Sequence, residues 1–287
     1  MFVWNRGLYY PCYPGGLTKA FTMSYDDGVV TDIEAVAIMR RHGVKATFNL
    51  NSGMFAQEPQ PKNENSQNKL TLEECLELYG DDMEIAIHGS CHPYWNKLPT
   101  AHAMADILDD RRALEKATGK LIRGGAYPFG TWNEDVVKLL DLAGIEYCRT
   151  TKSTKSFRLN VENWNTYHPT CHHREPELMT LAEKFTEKPN KTANLWLFYV
   201  WGHTYEFRDN DNWYILEDLL KKVAGLDDVW YATNIEIVTY LKAMEKLVWS
   251  ADRTKVMNPT ATELWLRSPG QGEVIRIAPG ETLALDQ

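Results

Sequence analysis

The feature that most constrains this chain is an alternation of short apolar strands with longer amphipathic helices, sustained from Lys19 to Lys246. Lys19–Tyr25 reads as a buried strand, Thr31–Gly43 as a helix stopped by glycine, and Val44–Leu50 as the next strand. The polar, proline-containing stretch Gln57–Lys69 is expected to be an exposed loop. Thr71, with Glu74 three residues on, forms a capping box that starts the following helix. Further strands are expected at Glu84–Ile87, Leu121–Ala126, Glu146–Arg149, Leu195–Trp201 and Val229–Ala232. Helices are expected at Thr100–Thr118, Asn133–Ala143, Glu175–Thr186, Trp213–Ala224 and Asn234–Lys246. Such repetition gives an α/β fold with a parallel sheet, because each crossover helix returns the chain to start the next strand in the same direction. This many repeats favour a closed or nearly closed barrel, with reactive groups at the C-terminal strand ends. From Ser250 the texture changes to short alternating runs broken by Pro and Gly (NPTATELWLRSPGQGEVIRIAPGETLAL), which suggests a small β appendage. The expected division is therefore 1–249 and 250–287.

Composition removes several function classes. Lys and Arg number 31 against 39 Asp and Glu, a net charge of −8, and no basic run is present, which argues against a nucleic-acid partner. No apolar stretch approaches a membrane span, so no membrane partner is expected. The opening MFVWNRGLYYPCYPGG lacks the basic-then-apolar pattern of a secretory signal, and the five cysteines are odd in number and widely spaced. Both features lead to the expectation of a cytoplasmic protein with free thiols.

The stretch FTMSYDDGVV ends the first strand on two adjacent carboxylates, Asp26 and Asp27. Asp-Gly is a common turn dipeptide, so a turn is one reading. The other is that one carboxylate holds a metal while its neighbour moves protons. His88 and His92 follow a later strand in IHGSCH, and His203 follows LWLFYVWG, so all these groups fall on one face of the barrel. An aspartate oxygen and two imidazole nitrogens suit Zn²⁺ or a similar divalent ion and leave a coordination position open. Taken singly these motifs are weak; their joint appearance at strand ends is not.

SYDDG, HGSCH, AYPFG and WGH, in this order and spacing, resemble the polysaccharide deacetylases of the NodB-homology type, carbohydrate esterase family 4, over about residues 15 to 245. The resemblance implies a distorted (β/α) barrel, here of about seven strands, and metal-dependent removal of acetyl groups from sugars. It makes Asp26 the general base and Asp27, His88 and His92 the ligands of a divalent metal, Zn²⁺ first, with Co²⁺, Ni²⁺ and Mn²⁺ as alternatives. It gives the Phe129 backbone N–H to an oxyanion hole and makes His203 the general acid. Two departures stand out. The arginine expected two residues before Pro128 is Ala126, with Arg123 as a candidate replacement. The acidic motif that tunes the acid histidine is reduced to NVENW, which carries Asn for both acids; Glu206 or Asp209 could supply that charge. Trp95, Trp132, Trp201, Arg123, Arg149 and His172 are candidate substrate contacts. The substrate expected is a short or soluble acetylated carbohydrate. Alternatives are a hydrolase of a non-sugar amide or O-acetyl ester on the same fold, and a non-catalytic carbohydrate-binding protein.

Overall fold

The computed structural model describes residues 9–190, 192–268 and 272–285; the outermost parts of both expected units, 1–8 and 286–287, lie outside the described residues. In chain order the first half runs β1 (Tyr10–Cys12), β2 (Lys19–Asp26), α1 (Asp32–Arg41), β3 (Ala46–Leu50), α2 (Leu72–Tyr79), β4 (Glu84–Ile87), α3 (Thr100–Thr118), β5 (Gly124–Ala126), α4 (Glu134–Leu142) and β6 (Tyr147–Arg149). The second half runs β7 (Cys171–His172), α5 (Leu178–Glu187), β8 (Trp196–Gly202), α6 (Tyr205–Asp209), α7 (Tyr214–Val223), β9 (Val229–Tyr231) and α8 (Asn234–Met244). Five short strands follow: β10 (Val248–Trp249), β11 (Lys255–Met257), β12 (Leu264–Arg267), β13 (Val274–Ile277) and β14 (Thr282–Ala284). The two capping-box helices start where their sequences indicate, with Thr71 and Thr233 each accepting from the backbone N–H three residues on.

Seven parallel strands form one curled sheet in the order β6-β5-β4-β3-β2-β8-β7, and β9 adds to the lower half of β2, below β3. The curl is nearly closed. Tyr167 bridges Arg149 at the end of β6, and Thr170 donates its N–H to Tyr199 O (2.8 Å) on β8. The sheet is thus the distorted (β/α) barrel that the alternation calls for. Each strand is buried on both faces, but the faces differ. On β2 and β3, Phe21, Met23, Tyr25, Phe48 and Leu50 pack beneath the helices. Thr22, Ser24, Asp26, Thr47 and Asn49 instead carry polar contacts across the lumen: Asn49 donates to Ser24, Thr22 to Asn234, and Thr47 to Glu84. The period-2 side-chain alternation of a strand therefore sets Asp26 inside the barrel.

The C-terminal strands pack on the same body. β12 pairs antiparallel with β1 and β13, while β10, β11 and β14 form a second small sheet. Tyr240 of α8 donates its hydroxyl to Cys12 O (2.7 Å) and accepts the N–H of Trp265 (3.2 Å). Val256, Leu264, Leu266, Ile277 and Leu285 share one apolar cluster with Tyr13, Ala20 and Tyr199, so this cluster crosses the division expected at residue 250. All five cysteines carry free thiols. Among the described residues no helix is long and apolar enough to cross a membrane.

Candidate active site

Asp26 is buried at the end of β2, and both of its carboxylate oxygens accept from Nη2 of Arg149. Asn49 Nδ2 donates to Oδ1 (2.8 Å), and Nε2 of His88 and Nε2 of His203 stand 3.7 and 3.8 Å from Oδ2. Burial alone would raise the carboxyl pKa. The Arg149 guanidinium, His88 and His203 outweigh it and hold Asp26 well below the usual carboxylate range. Arg149 is itself fully buried, its guanidinium 4.4 Å from the Trp201 ring. Across the β5–β6 pair, Arg149 is the register partner of Ala126. The cation missing from position 126 has therefore been supplied one strand over.

Asp27 leaves the strand with φ 88°, a left-handed conformation that a non-glycine residue holds only under constraint. The constraint is visible: its N–H donates to Asn49 O (3.0 Å), and Lys69 Nζ donates to its carbonyl (2.7 Å) while standing 3.5 Å from Oδ1. Ligand atoms of Asp27, His88 and His92 all lie within 4.8 Å of one another. His88 Nδ1 faces Ala126 O at 2.9 Å and can only donate to it, so a neutral His88 presents a bare lone pair at Nε2. His92 Nε2 is 3.2 Å from that atom. Two nitrogens bound to one tetrahedral Zn²⁺ at about 2.0–2.1 Å would sit about 3.3 Å apart. The donor set thus fits a divalent cation.

Helix α3 secures the loop between these ligands. Asp110 accepts from the N–H of Ser52 (2.8 Å) and of His88 (3.0 Å), and Asp106 accepts from Cys91 N–H (3.2 Å) and the Trp95 indole (2.7 Å). The four-residue spacing puts both carboxylates on one helix face. Nothing in the sequence marks them apart from the other acids of α3, because a solvated helix face carries the same residue types. His92 and Phe129 share left-handed backbone, φ 51° and 57°, and their rings lie 4.3 Å apart.

His203 follows β8 with Nδ1 3.6 Å from Glu206 Oε2. That carboxylate is a hub. His172 Nε2 and His173 Nε2 each stand 3.1 Å from Oε2, Arg174 donates to Oε1 (3.3 Å), and His203 N–H donates to Oε2 (3.3 Å). His172 Nδ1 accepts the Arg174 N–H (3.1 Å), so its proton sits on Nε2 and points at Glu206. Burial lowers the His203 pKa, but Glu206 together with the charges of Asp26 and Asp27 raises it above the ordinary histidine value. His173, fully inside, is pushed down to about 4 by burial.

The remaining sequence candidates divide. Arg149 is fully buried, with Nη2 on Asp26 and its guanidinium against the Trp201 ring. Arg123 does not stand in for the missing arginine: it pairs with Glu146 (2.8 Å) at the start of β5, the opposite end of the barrel. Trp95 is buried with its indole on Asp106, and Trp201 is buried against Arg149 and the His172 ring (4.5 Å), so neither offers a face for stacking. Trp132 is half-buried against the core near Tyr127 (6.4 Å), and His172 belongs to the Glu206 hub. The exposed aromatic rings beside the ligands are instead Phe129 and Tyr94, which the tryptophan count drew attention away from.

Residues 16–148 match the polysaccharide deacetylase family. Among solved structures, a putative polysaccharide deacetylase from Mycobacterium smegmatis is 16% identical, with a TM-score of 0.54 over 83% of this chain and 95% of that one. The Streptococcus pyogenes deacetylase PplD is 21% identical with a TM-score of 0.40; the match covers 45% of this chain and about half, 55%, of that one. A family 4 pseudoenzyme from Bacillus anthracis is 17% identical with a TM-score of 0.47, over 80% of this chain and 68% of that one. No curated protein matches.

Proposed function

We propose that this chain, a member of the polysaccharide deacetylase family through residues 16–148, is a metal-dependent hydrolase that removes acetyl groups from an N-acetylated sugar or oligosaccharide. The observation that carries the reading is the convergence of Asp27, His88 and His92 beside a separately neutralised Asp26. Asp27, His88 and His92 would hold the ion, Zn²⁺ first, which when bound supplies Lewis acidity and an acidified water.

Asp26 is kept ionised by Arg149 and stands ready to accept the proton of the attacking water; its role is general base. The Phe129 N–H is the donor for the oxyanion of the tetrahedral intermediate, an interaction worth roughly 10²–10³ in rate for each such donor. His203, with Nδ1 turned to Glu206, presents Nε2 on the Asp26 side and gives its proton to the departing amine. The two adjacent aspartates thus answer to different partners, a cation on one side of the strand and a guanidinium on the other. Five free thiols, with Cys91 exposed, support a reducing, cytoplasmic location, where a short or soluble substrate is the expected one.

The test is metal analysis of the purified protein together with acetate release from N-acetylglucosamine oligomers, with Asp27→Ala alongside. The expected result is one divalent ion per chain and acetate release in the wild type, both lost in the variant. Equal metal content in the two proteins would overturn the ligand assignment. Metal without acetate release from any acetylated sugar would overturn the substrate class.

A further inference from the structure

Asp32 opens α1 and is fully buried, whereas Glu34 in the same turn is exposed. An acid at a helix start ordinarily faces solvent and answers only to the helix dipole. Asp32 instead divides its two oxygens between distant parts of the chain. Oδ2 accepts the Val29 N–H (3.1 Å) and the Tyr79 hydroxyl (2.7 Å). Val29 lies two residues beyond Asp27, in the turn that carries that proposed ligand. Oδ1 accepts the hydroxyl of Thr204, the residue after His203, across a sequence separation of 172. Thr31 Oγ1 stands 2.8 Å from Thr204 Oγ1, and since Thr204 gives its one hydroxyl proton to Asp32, Thr31 is the donor in that pair. Thr31 and Thr204 are both fully buried. A buried carboxylate is costly unless donors satisfy its oxygens, and here the donors come from the turn after β2 and the turn after β8. The ladder between these two strands ends at the Tyr25–Gly202 pair, one residue short of Asp26 and His203. The Asp32–Thr204 contact ties the two turns together beyond that point.

We infer that Asp32 is a positioning residue that, through Thr204, sets where His203 stands relative to Asp26 and the proposed metal ligands; this rests on the hydrolase reading of the same site. His203 Nε2 is 3.8 Å from Asp26 Oδ2. Glu206 orients the ring from within the same turn as His203, and Asp32 ties that turn to the one bearing Asp27. The consequence falls on one step. An amine leaves only after its nitrogen takes the His203 proton and the C–N bond breaks, whereas a nitrophenolate leaves without a proton. Misplacing His203 therefore slows an amide and spares an activated ester.

The experiment compares wild type, Thr204→Val, Thr204→Ser, Asp32→Ala and the double variant Asp32→Ala with Thr204→Val. Each is assayed on the N-acetylglucosamine tetramer and on 4-nitrophenyl acetate, with metal content and the imidazole nitrogen NMR signals of His203 recorded alongside. Thr204→Val keeps the side-chain volume and removes the hydroxyl. It is expected to lower kcat on the tetramer by about ten- to hundredfold, the size of a misplaced catalytic group. The tetramer KM and the ester kcat/KM stay within about twofold, metal content is unchanged, and the His203 signals shift. Thr204→Ser restores the wild-type values. The double variant is no slower than the slower single variant, because the two residues act in one chain of contacts. An unchanged tetramer kcat in Thr204→Val overturns the inference. An equal loss on both substrates also overturns it, since that is damage to the site as a whole. Should Asp32→Ala fail to fold, Thr204→Val against Thr204→Ser decides. If the wild type releases acetate from neither substrate, the hydrolase reading falls and the NMR signals judge the tie: shifted in Thr204→Val and restored in Thr204→Ser it stands, unmoved it falls.

Discussion

A carboxylate buried as deeply as Asp26 keeps its charge only while a cation faces it, and Arg149 is that cation. Arg149→Ala is expected to destabilise the protein by about 3–5 kcal/mol, read from urea unfolding at pH 7, because it strands a buried charge. The pairing lowers the Asp26 pKa in the folded state, so the stability it contributes is present above the ordinary carboxylate pKa and is lost as pH falls through the folded value. Arg149→Lys is expected to retain part of that stability but less activity, since an ammonium keeps the charge and loses the planar guanidinium that packs over Trp201. Glu206→Gln removes the negative charge that helps lift His203. With His203 as the proposed acid, the alkaline limb of kcat/KM reports loss of its proton and is expected to move to lower pH in this variant, with the acidic limb fixed. Most of these residues are legible in the sequence, because short motifs bring their own spacing. The position of Arg149 is not: its side chain meets Asp26 across a sequence separation of 123, and only the β5–β6 register makes it the neighbour of Ala126.

Strand β8 shows how an element shapes the candidate site through packing. A Cβ on Gly202 would fall 2.2 Å from His173 Nδ1. Gly202→Ala is therefore expected to push His173 off Glu206, at a cost of about 1–3 kcal/mol in urea unfolding, and to loosen the carboxylate that faces His203. The regular elements were readable because each has a clear signal: Thr100–Thr118 and Glu84–Ile87 have the bounds their sequences indicate, with glycine closing the helix. Strand β7, two residues long in the loop YHPTCHHREP, carries no periodicity to read. It exists because Thr170 and Cys171 find partners on β8. The tryptophans misled for a related reason. Aromatic residues after reactive segments suit stacking and packing equally well, and burial, which decides between them, is a tertiary property.

At the scale of the whole molecule the small C-terminal strands are part of the core. Val256, Leu264, Leu266, Ile277 and Leu285 are buried, and at about 1.5–3 kcal/mol each their loss rivals the entire stability of a typical domain. A chain ending at Ser250 is expected to lose cooperative thermal unfolding by circular dichroism. Retention of a sharp transition would show that residues 1–249 fold by themselves. The pairing of β2 has a further consequence during synthesis. Asp26 leaves the ribosome long before Arg149, by roughly 6–25 s at 5–20 residues per second over that separation of 123. β8 and β9, which complete the sheet around β2, emerge later still. The Asp26 carboxylate therefore spends the first part of its life as an ordinary solvated aspartate. It becomes a buried, arginine-paired carboxylate only when the later strands of the nascent chain arrive to enclose it.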